Sequence, residues 1–303
     1  MTAISIIIPA FNCERWIGQS VSSALTQSLP PHEVIVVDDG SSDQSAARAR
    51  EAGAHVIARA HAGVSAARNA GVGAATGDWL MFLDADDLLA PHALQAIARA
   101  ADGVDAVLAR HVDFDDRTGI ESPCVYRLAY RDAYANACRN IWFQGAVAVR
   151  RTPLQWNENR TLWEGLEYLL EYLAPPETRA AFIEDVVTKV RQHRSADRLS
   201  SRFDHFEPAM TGAFFVERKN RLGPDIGFER ASALDYRIAS NANSLWRAGR
   251  ASEAAPLLDA ISWAQVQRYD WYRAGSFAWA VKRLGRRLGP RLLLAANRAL
   301  GRA

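Results

Sequence analysis

Asp84 and Asp86 stand in the run LDADD, residues 83–87. On an extended backbone, side chains two residues apart point the same way, so the two carboxylates can converge on one ligand. Paired carboxylate oxygens suit a hard divalent cation. Mg2+ or Mn2+ takes one or two protein carboxylates and completes its shell with water and substrate phosphate. A D-x-D run alone is a weak signal, and read alone LDADD is more simply a solvated turn with Asp87 capping the next helix. A second acidic pair, Asp38 and Asp39, closes the apolar run of EVIVVDDGSSD, residues 33–43. Like charges at the end of a buried strand call for a partner there.

The elements that must carry these pairs are legible as hydrophobic pattern. ISIIIPAF, EVIVVDD, HVIARA, DWLMFLDADD and VDAVLARHVDF read as strands, the first stopped by Pro9. Between them, CERWIGQSVSSALTQSL puts Trp16, Ile17, Val21, Ala24 and Leu25 at helical spacing, with Asn12 as the expected N-cap. SDQSAARAREAG is a short helix stopped at Gly53, GVSAARNAGVGAATG is small and helical, and Pro91 opens a helix through Ala101. Continuous apolar strands suit a parallel sheet covered on both faces. Ligands bind such sheets beyond the carboxyl ends of the strands. Pro9 to Asn12, the Asp38–Asp39 pair and the Asp84–Asp86 pair all fall at that end. Further on, GAVAVRR reads as a strand, LWEGLEYLLEYLA as a helix closed by Pro175 and Pro176, and AFIEDVVTKVRQH as a strand with Asp185 in a loop before it. Beyond Ser200 the pattern is helical, with ASALDYRIASNANSLWRAGRASEAAPLLDAI as a helical hairpin and no repeat at a fixed period.

Composition narrows the classes. Hydrophobic residues make up 49% and charged residues 23% of 303, a globular profile, and the net charge of +2 offers nothing to nucleic acid. Cys13, Cys124 and Cys138 lack metal-type spacing, and a reduced cytosolic setting is the simplest reading. The opening MTAISIIIPAFN has no basic region and too short an apolar run for a signal peptide. No stretch reaches the ~20 apolar residues of a membrane span. The charge is uneven, however. Arg273, Lys282, Arg283, Arg286, Arg287, Arg291, Arg298 and Arg302 crowd residues 271–303, which hold no acid. In that tail Trp279, Val281, Leu284 and Leu288 can share a helix face until Pro290, which suits either an anionic membrane surface or packing on the main domain.

Taken together, SIIIPAFNCERWIGQSVSSALTQS, EVIVVDDGSSD and GVSAARNAGVGAATGDWLMFLDADD resemble the family 2 nucleotide-sugar glycosyltransferases. The resemblance is dense over residues 3–110 and thinner to 205. It implies a GT-A-type, Rossmann-like fold: α/β, a mostly parallel sheet flanked by helices, with a glycosyltransferase domain over 1–205 and a helical C-terminal region over 206–303. It also implies an inverting transfer that uses Mn2+ or Mg2+, as in bacterial cell-surface polysaccharide synthesis, at the cytoplasmic side of the membrane. The partners would be a nucleotide-sugar donor, UDP-linked, and a carbohydrate or lipid-linked acceptor. By position in the motifs, Pro9, Ala10 and Phe11 would line the nucleoside pocket and Glu14 would be the acid of that first motif. Asp39 would hold the base, with Asp38 orienting its neighbour. Arg68 and Asn69 would lie near the donor, Asp84 near the ribose, and Ala85 between Asp84 and the metal ligand Asp86. VRQHRSADRLSS resembles the loop that closes over the diphosphate, so Arg191 and His193 would meet phosphate or metal.

One departure concerns the general base. The family carries Glu-Asp at the start of a helix, and here Trp163-Glu164-Gly165 puts glycine where the aspartate is expected. Glu164 is then the candidate base, with Glu167 one turn on and Asp185 as reserves. A carboxylate at a helix start also simply favours the dipole. Gln144 and Trp163 are candidates to line the acceptor pocket. A sugar-nucleotide pyrophosphorylase would need a basic, glycine-rich loop where PAFNCERW stands. A nicotinamide dehydrogenase would need G-x-G-x-x-G after the first strand. The surviving alternative is a degenerate sugar-nucleotide-binding protein, for which Gly165 speaks.

Overall fold

The computed structural model describes residues 2–193, apart from 125, 127, 141, 143 and 161, and residues 207–262. They fall into two compact units, the first from residues 2–126 and 142–193 and the second from 128–140 and 207–262. The basic tail at 271–303 lies outside the described residues.

The first unit is built on a mixed sheet. Its strands are β1 (Ile4–Ala10), β2 (Glu33–Asp38), β3 (His55–Ala58), β4 (Trp79–Phe82), β5 (Leu88–Leu89), β6 (Ala106–Asp115), β7 (Glu121–Pro123), β8 (Val147–Arg150) and β9 (Ala180–Gln192). The sheet order is β3-β2-β1-β4-β8-β6-β9-β5, with β7 on β6. β3, β2, β1 and β4 run parallel, and β8 enters antiparallel to both β4 and β6. Every residue of β1 and β4 is buried, which is why those strands are apolar, apart from Ser5, instead of alternating. The helices of this unit are α1 (Ile17–Leu25), α2 (Ser45–Glu51), α3 (Val64–Ala74), α4 (Ala93–Ala100) and α6 (Glu164–Leu173), with α5 (Ala133–Asn140) in the second unit. α3 lies so close on β1 that a Cβ at Gly71 would meet Ile7 Cγ2 at 2.4 Å.

Three expectations are corrected. Pro9 does not stop β1: it pairs in register with Val37, while pairing to β4 ends at Ile7, so no strand on that side needs its missing N–H. Asn12 does not cap α1, whose N-cap is Trp16; Asn12 adopts a left-handed φ of 48° and its Oδ1 accepts from Ser42 N at 2.9 Å. Asp185 lies inside β9, not before it, exposed near the irregular register between Leu108 and His111.

The second unit holds α5 (Ala133–Asn140), α7 (Pro208–Leu222), α8 (Phe228–Arg247) and α9 (Ala251–Asp259). α8 and α9 form the expected hairpin, turned at Gly249 with φ 79°. Lys219 Nζ reaches Asp235 Oδ1 at 2.5 Å and Ala260 O at 2.7 Å, pinning the end of α9. α5 joins them across the sequence, with Arg237 Nε donating to Cys138 O at 3.0 Å.

Candidate active site

The parallel order β2-β1-β4 brings the carboxyl ends of three strands side by side, and the acidic pairs leave from two of them. Asp39 follows β2 and is only 2% exposed. Its carboxylate accepts from Gly63 N at 2.8 Å and Ala62 N at 3.1 Å. Arg59 Nε lies 3.2 Å and His61 Nδ1 2.9 Å from the same carboxylate. Asp39 therefore organises residues 59–63, the loop between β3 and α3. Phe11, at the end of β1, stacks on His61 with ring centroids 4.3 Å apart, and both rings are exposed. Asp38 turns aside to accept from Ser41 N at 3.3 Å. Glu14 Oε2 accepts from Gln44 N at 2.9 Å and Glu14 N donates to Asp43 at 3.1 Å, so this first acid ties the loop after β1 to the loop after β2. Burial works against ionisation of Asp43, but hydrogen bonds from Ser45 outweigh it and hold the carboxyl below its ordinary value.

At the end of β4 the two carboxylates of D-x-D part company. Asp84 Oδ1 accepts from Arg68 Nη2 at 2.9 Å. Asp86 Oδ2 meets His193 Nε2 at 2.9 Å. The pairing of β5 with β9 explains the second contact: Leu88 stands opposite Lys189, and two residues back along that register Asp86 faces Arg191 and the chain entering His193. Trp16 lies against the His193 ring, centroids 4.2 Å apart. Residues 11–16 thus link the two ends of the rim, Phe11 through His61 to Asp39 and Trp16 through His193 to Asp86. Ser20 Oγ adds a hydrogen bond to Ala85 O at 2.7 Å.

A carboxylate oxygen and an imidazole nitrogen this close form a donor pair for one divalent cation, of which the carboxylate suits Mn2+ or Mg2+. Among the described residues no group of three or more His, Cys, Asp or Glu is set to hold a metal ion. The remaining ligands would have to come from phosphate and water, the usual habit of these cations in phosphate chemistry.

The structure separates the other sequence candidates by what they touch. Arg68 is 4% exposed, lies over the Trp156 ring at 4.3 Å, and has Glu164 Oε1 at 3.6 Å from Nη1. Arg68 thereby joins Asp84 to the start of α6. Asn69 is spent on the segment 156–158, accepting from Trp156 N at 2.7 Å and donating to Trp156 O at 3.0 Å and Glu158 Oε1 at 2.8 Å. Glu167 is corrected as a reserve base: it is buried, and its two oxygens take Arg160 Nε at 3.0 Å and Nη2 at 3.1 Å. Arg191 is likewise turned inward, 4% exposed. Trp163 precedes Glu164 with a left-handed φ of 63°, a strained state for a bulky residue. Gly165 has Gln144 as its neighbour: a Cβ there would lie 3.3 Å from Gln144 Oε1. Gln144 is 7% exposed and neither side-chain polar atom has a hydrogen-bond partner among the described residues. His61, Trp16 and Asp116 escaped the sequence reading. His61 carries a signal, since ARAHAG leaves β3 on the same rim; Trp16 reads in the sequence only as one of the helically spaced positions of α1, and Asp116 carries no signal.

A Rossmann-like sheet with an acidic rim, its first half parallel and its second entered by an antiparallel strand, defines a GT-A glycosyltransferase fold. Residues 5–147 match the model for Glycosyl transferase family 2, and that stretch of the chain is a family 2 glycosyltransferase domain. The structure is similar over 98% of this chain and 92% of the other to S. aureus TarS 1-349 in complex with UDP-GlcNAc, with a TM-score of 0.71 and 16% identity. It is similar over 98% and 79% to the mannosyltransferase PcManGT from Pyrobaculum calidifontis in complex with GDP-Man and Mn2+, with a TM-score of 0.55 and 19% identity. Among curated relatives, the succinoglycan biosynthesis protein ExoO of Rhizobium meliloti is 36% identical over 110 residues, 35% of this chain and 32% of that protein. The chain spans less than half the length of the curated relatives it matches.

Proposed function

We propose that the chain moves a sugar from a UDP-sugar to a hydroxyl of a carbohydrate or lipid-linked carbohydrate, with inversion at the anomeric carbon. The observation that carries this reading is the pairing of Asp86 with His193 at 2.9 Å, on the same rim as Asp39 and Asp84. The nucleoside would lie against Phe11 and His61, in the pocket of Pro9 and Ala10. Both Asp39 oxygens are engaged by the 59–63 loop, so Asp39 acts on the base through that loop. Asp86 and His193 would hold Mn2+ or Mg2+, which when bound neutralises charge on the departing diphosphate. That metal choice is supported by the carboxylate of the pair and by the Mn2+ named with the mannosyltransferase.

Glu164 is the group for the proton. As the acceptor oxygen forms its bond to the anomeric carbon, its proton passes to a Glu164 carboxylate oxygen. The bond from that carbon to the diphosphate oxygen breaks, and its electron pair leaves with UDP. Arg68 orients Glu164 against Asp84, and the Gln144 amide, with one donor group and one acceptor, suits a sugar hydroxyl. The buried side chain pays nothing back unless such a partner arrives. The tail at 271–303 would rest on an anionic membrane surface at the cytoplasmic face. The second reading, a sugar-nucleotide binder without turnover, is favoured by Gly165.

Incubation with Mn2+ and a panel of UDP-sugars and glycan acceptors tests the reading by released UDP. Transferase activity that falls about 100-fold or more in Glu164→Gln, with UDP affinity unchanged, is the expected result. UDP binding without turnover of any pair selects the second reading.

A further inference from the structure

We propose that Arg191 is a positioning residue that fixes Asp86 and His193 for the diphosphate-bound cation, and that it does not itself touch phosphate. The inference rests on the cation reading of the site given above.

Each nitrogen of the guanidinium is already committed. Nε donates to Asp86 O at 2.6 Å, Nη1 to Asp116 Oδ1 at 2.5 Å and Nη2 to Gln19 Oε1 at 2.8 Å. The main-chain N of Arg191 donates to Asp87 Oδ1 at 2.8 Å. The group lies over the Phe114 ring at 4.8 Å and is 4% exposed. A phosphate ligand needs donors facing solvent, and these face protein. What they grip is specific. Asp86 O belongs to the residue whose carboxylate meets His193, Asp87 is its neighbour, and His193 lies two residues beyond Arg191, just past the end of β9 at Gln192. Gln19 belongs to α1, three residues past the Trp16 that covers the His193 ring.

The charge is balanced by Asp116, whose other oxygen accepts from Arg15 Nη2 at 2.9 Å. The planar fork holds donors on three separate nitrogens in fixed directions, whereas a lysine gathers its donors on one nitrogen and cannot span the same three partners from the same place. Groups that orient metal ligands in this way change metal affinity by about 10–100-fold when removed.

Calorimetry on the full chain separates the roles. The tightest of UDP, GDP and dTDP is titrated with Mn2+ and with EDTA, and its nucleoside alone, into wild type and Arg191→Lys. A positioning role predicts a loss of about 10–100-fold for the nucleotide with Mn2+, no loss with EDTA and no loss for the nucleoside. Gln19→Ala, which removes one contact from an exposed residue, should give a smaller loss of the same pattern even if the lysine variant folds poorly. An equal loss with EDTA means that Arg191 touches phosphate, and an equal loss for the nucleoside means general damage; either overturns the proposal, as does unchanged affinity in both variants. If wild type binds no tighter with Mn2+ than with EDTA, the cation reading falls and this inference with it.

Discussion

Asp39 and Asp86 divide the work of the rim between a loop and a strand end. Asp39 accepts from two consecutive backbone N–H groups and neighbours two basic side chains, an arrangement that an amide cannot match on both oxygens. Asp39→Asn should therefore lower stability by about 1.5–3 kcal/mol in urea unfolding and weaken uridine binding, while Asp86→Ala should leave uridine binding intact. The cysteines give a second check. Burial pushes the thiols of Cys13 and Cys138 up to about 12, a hydrogen bond from Ser45 to the Cys13 sulfur offsetting little of it. Cys124 is only partly buried and less shifted. Native protein at pH 8 should react with a thiol reagent at Cys124 alone, and at all three once unfolded, because only the thiolate attacks. Rapid labelling of Cys13 in the native state would mean that the loop after β1 opens.

At the scale of elements, the site exists because parallel strands end together and small residues let helices approach them. Gly71 is the tightest such point on β1. Gly71→Ala would drive a methyl against Ile7, and overpacking of this kind costs about 1–3 kcal/mol, measurable as a shift in the denaturation midpoint. β1, β2 and β4 were legible in the sequence because burial on both faces makes them almost continuously apolar; β3, with no buried residue, showed only its Val56–Ile57 pair. β7 was not: ESP is three exposed residues with a proline. α5 was not either, since AYANACRN has few strong apolar positions and buries Asn136 along with its alanines. The D-x-D spacing announced two carboxylates but not their separate partners. Which of them would face His193 depends on β5 pairing with β9, and a two-residue strand leaves no periodicity to read. The split of Arg191 from the ligand set was hidden for the same reason, because Asp116 lies 75 residues away.

Across the whole molecule, several carboxylates sit below their ordinary values. Burial pushes Asp116 up, but Arg191 and Arg15 outweigh it and the net shift is down; Glu33 is lowered in spite of burial by hydrogen bonds from Ser5 and Thr76. A depressed folded value contributes stability that is present above the unfolded value and lost as pH falls through the folded one. Stability should therefore decline from about pH 4 downward, and Asp116→Asn should flatten part of that decline in acid unfolding followed by circular dichroism. Among the described residues no helix is long and apolar enough to cross a membrane. The basic tail makes a different prediction, that the full chain co-sediments with vesicles of anionic phospholipid and a chain ending at residue 270 does not, the difference shrinking as salt rises.

The central claim is that one rim holds both a nucleoside and a cation-bound diphosphate. Crystals grown with UDP and Mn2+ test it most directly, because the anomalous signal of manganese fixes the ion without reference to the protein. The account predicts a manganese peak about 2.0–2.2 Å from Asp86 and His193, with uracil against Phe11 and His61. Manganese bound elsewhere, or uridine on another face while the Asp86–His193 pair stays closed, would contradict it.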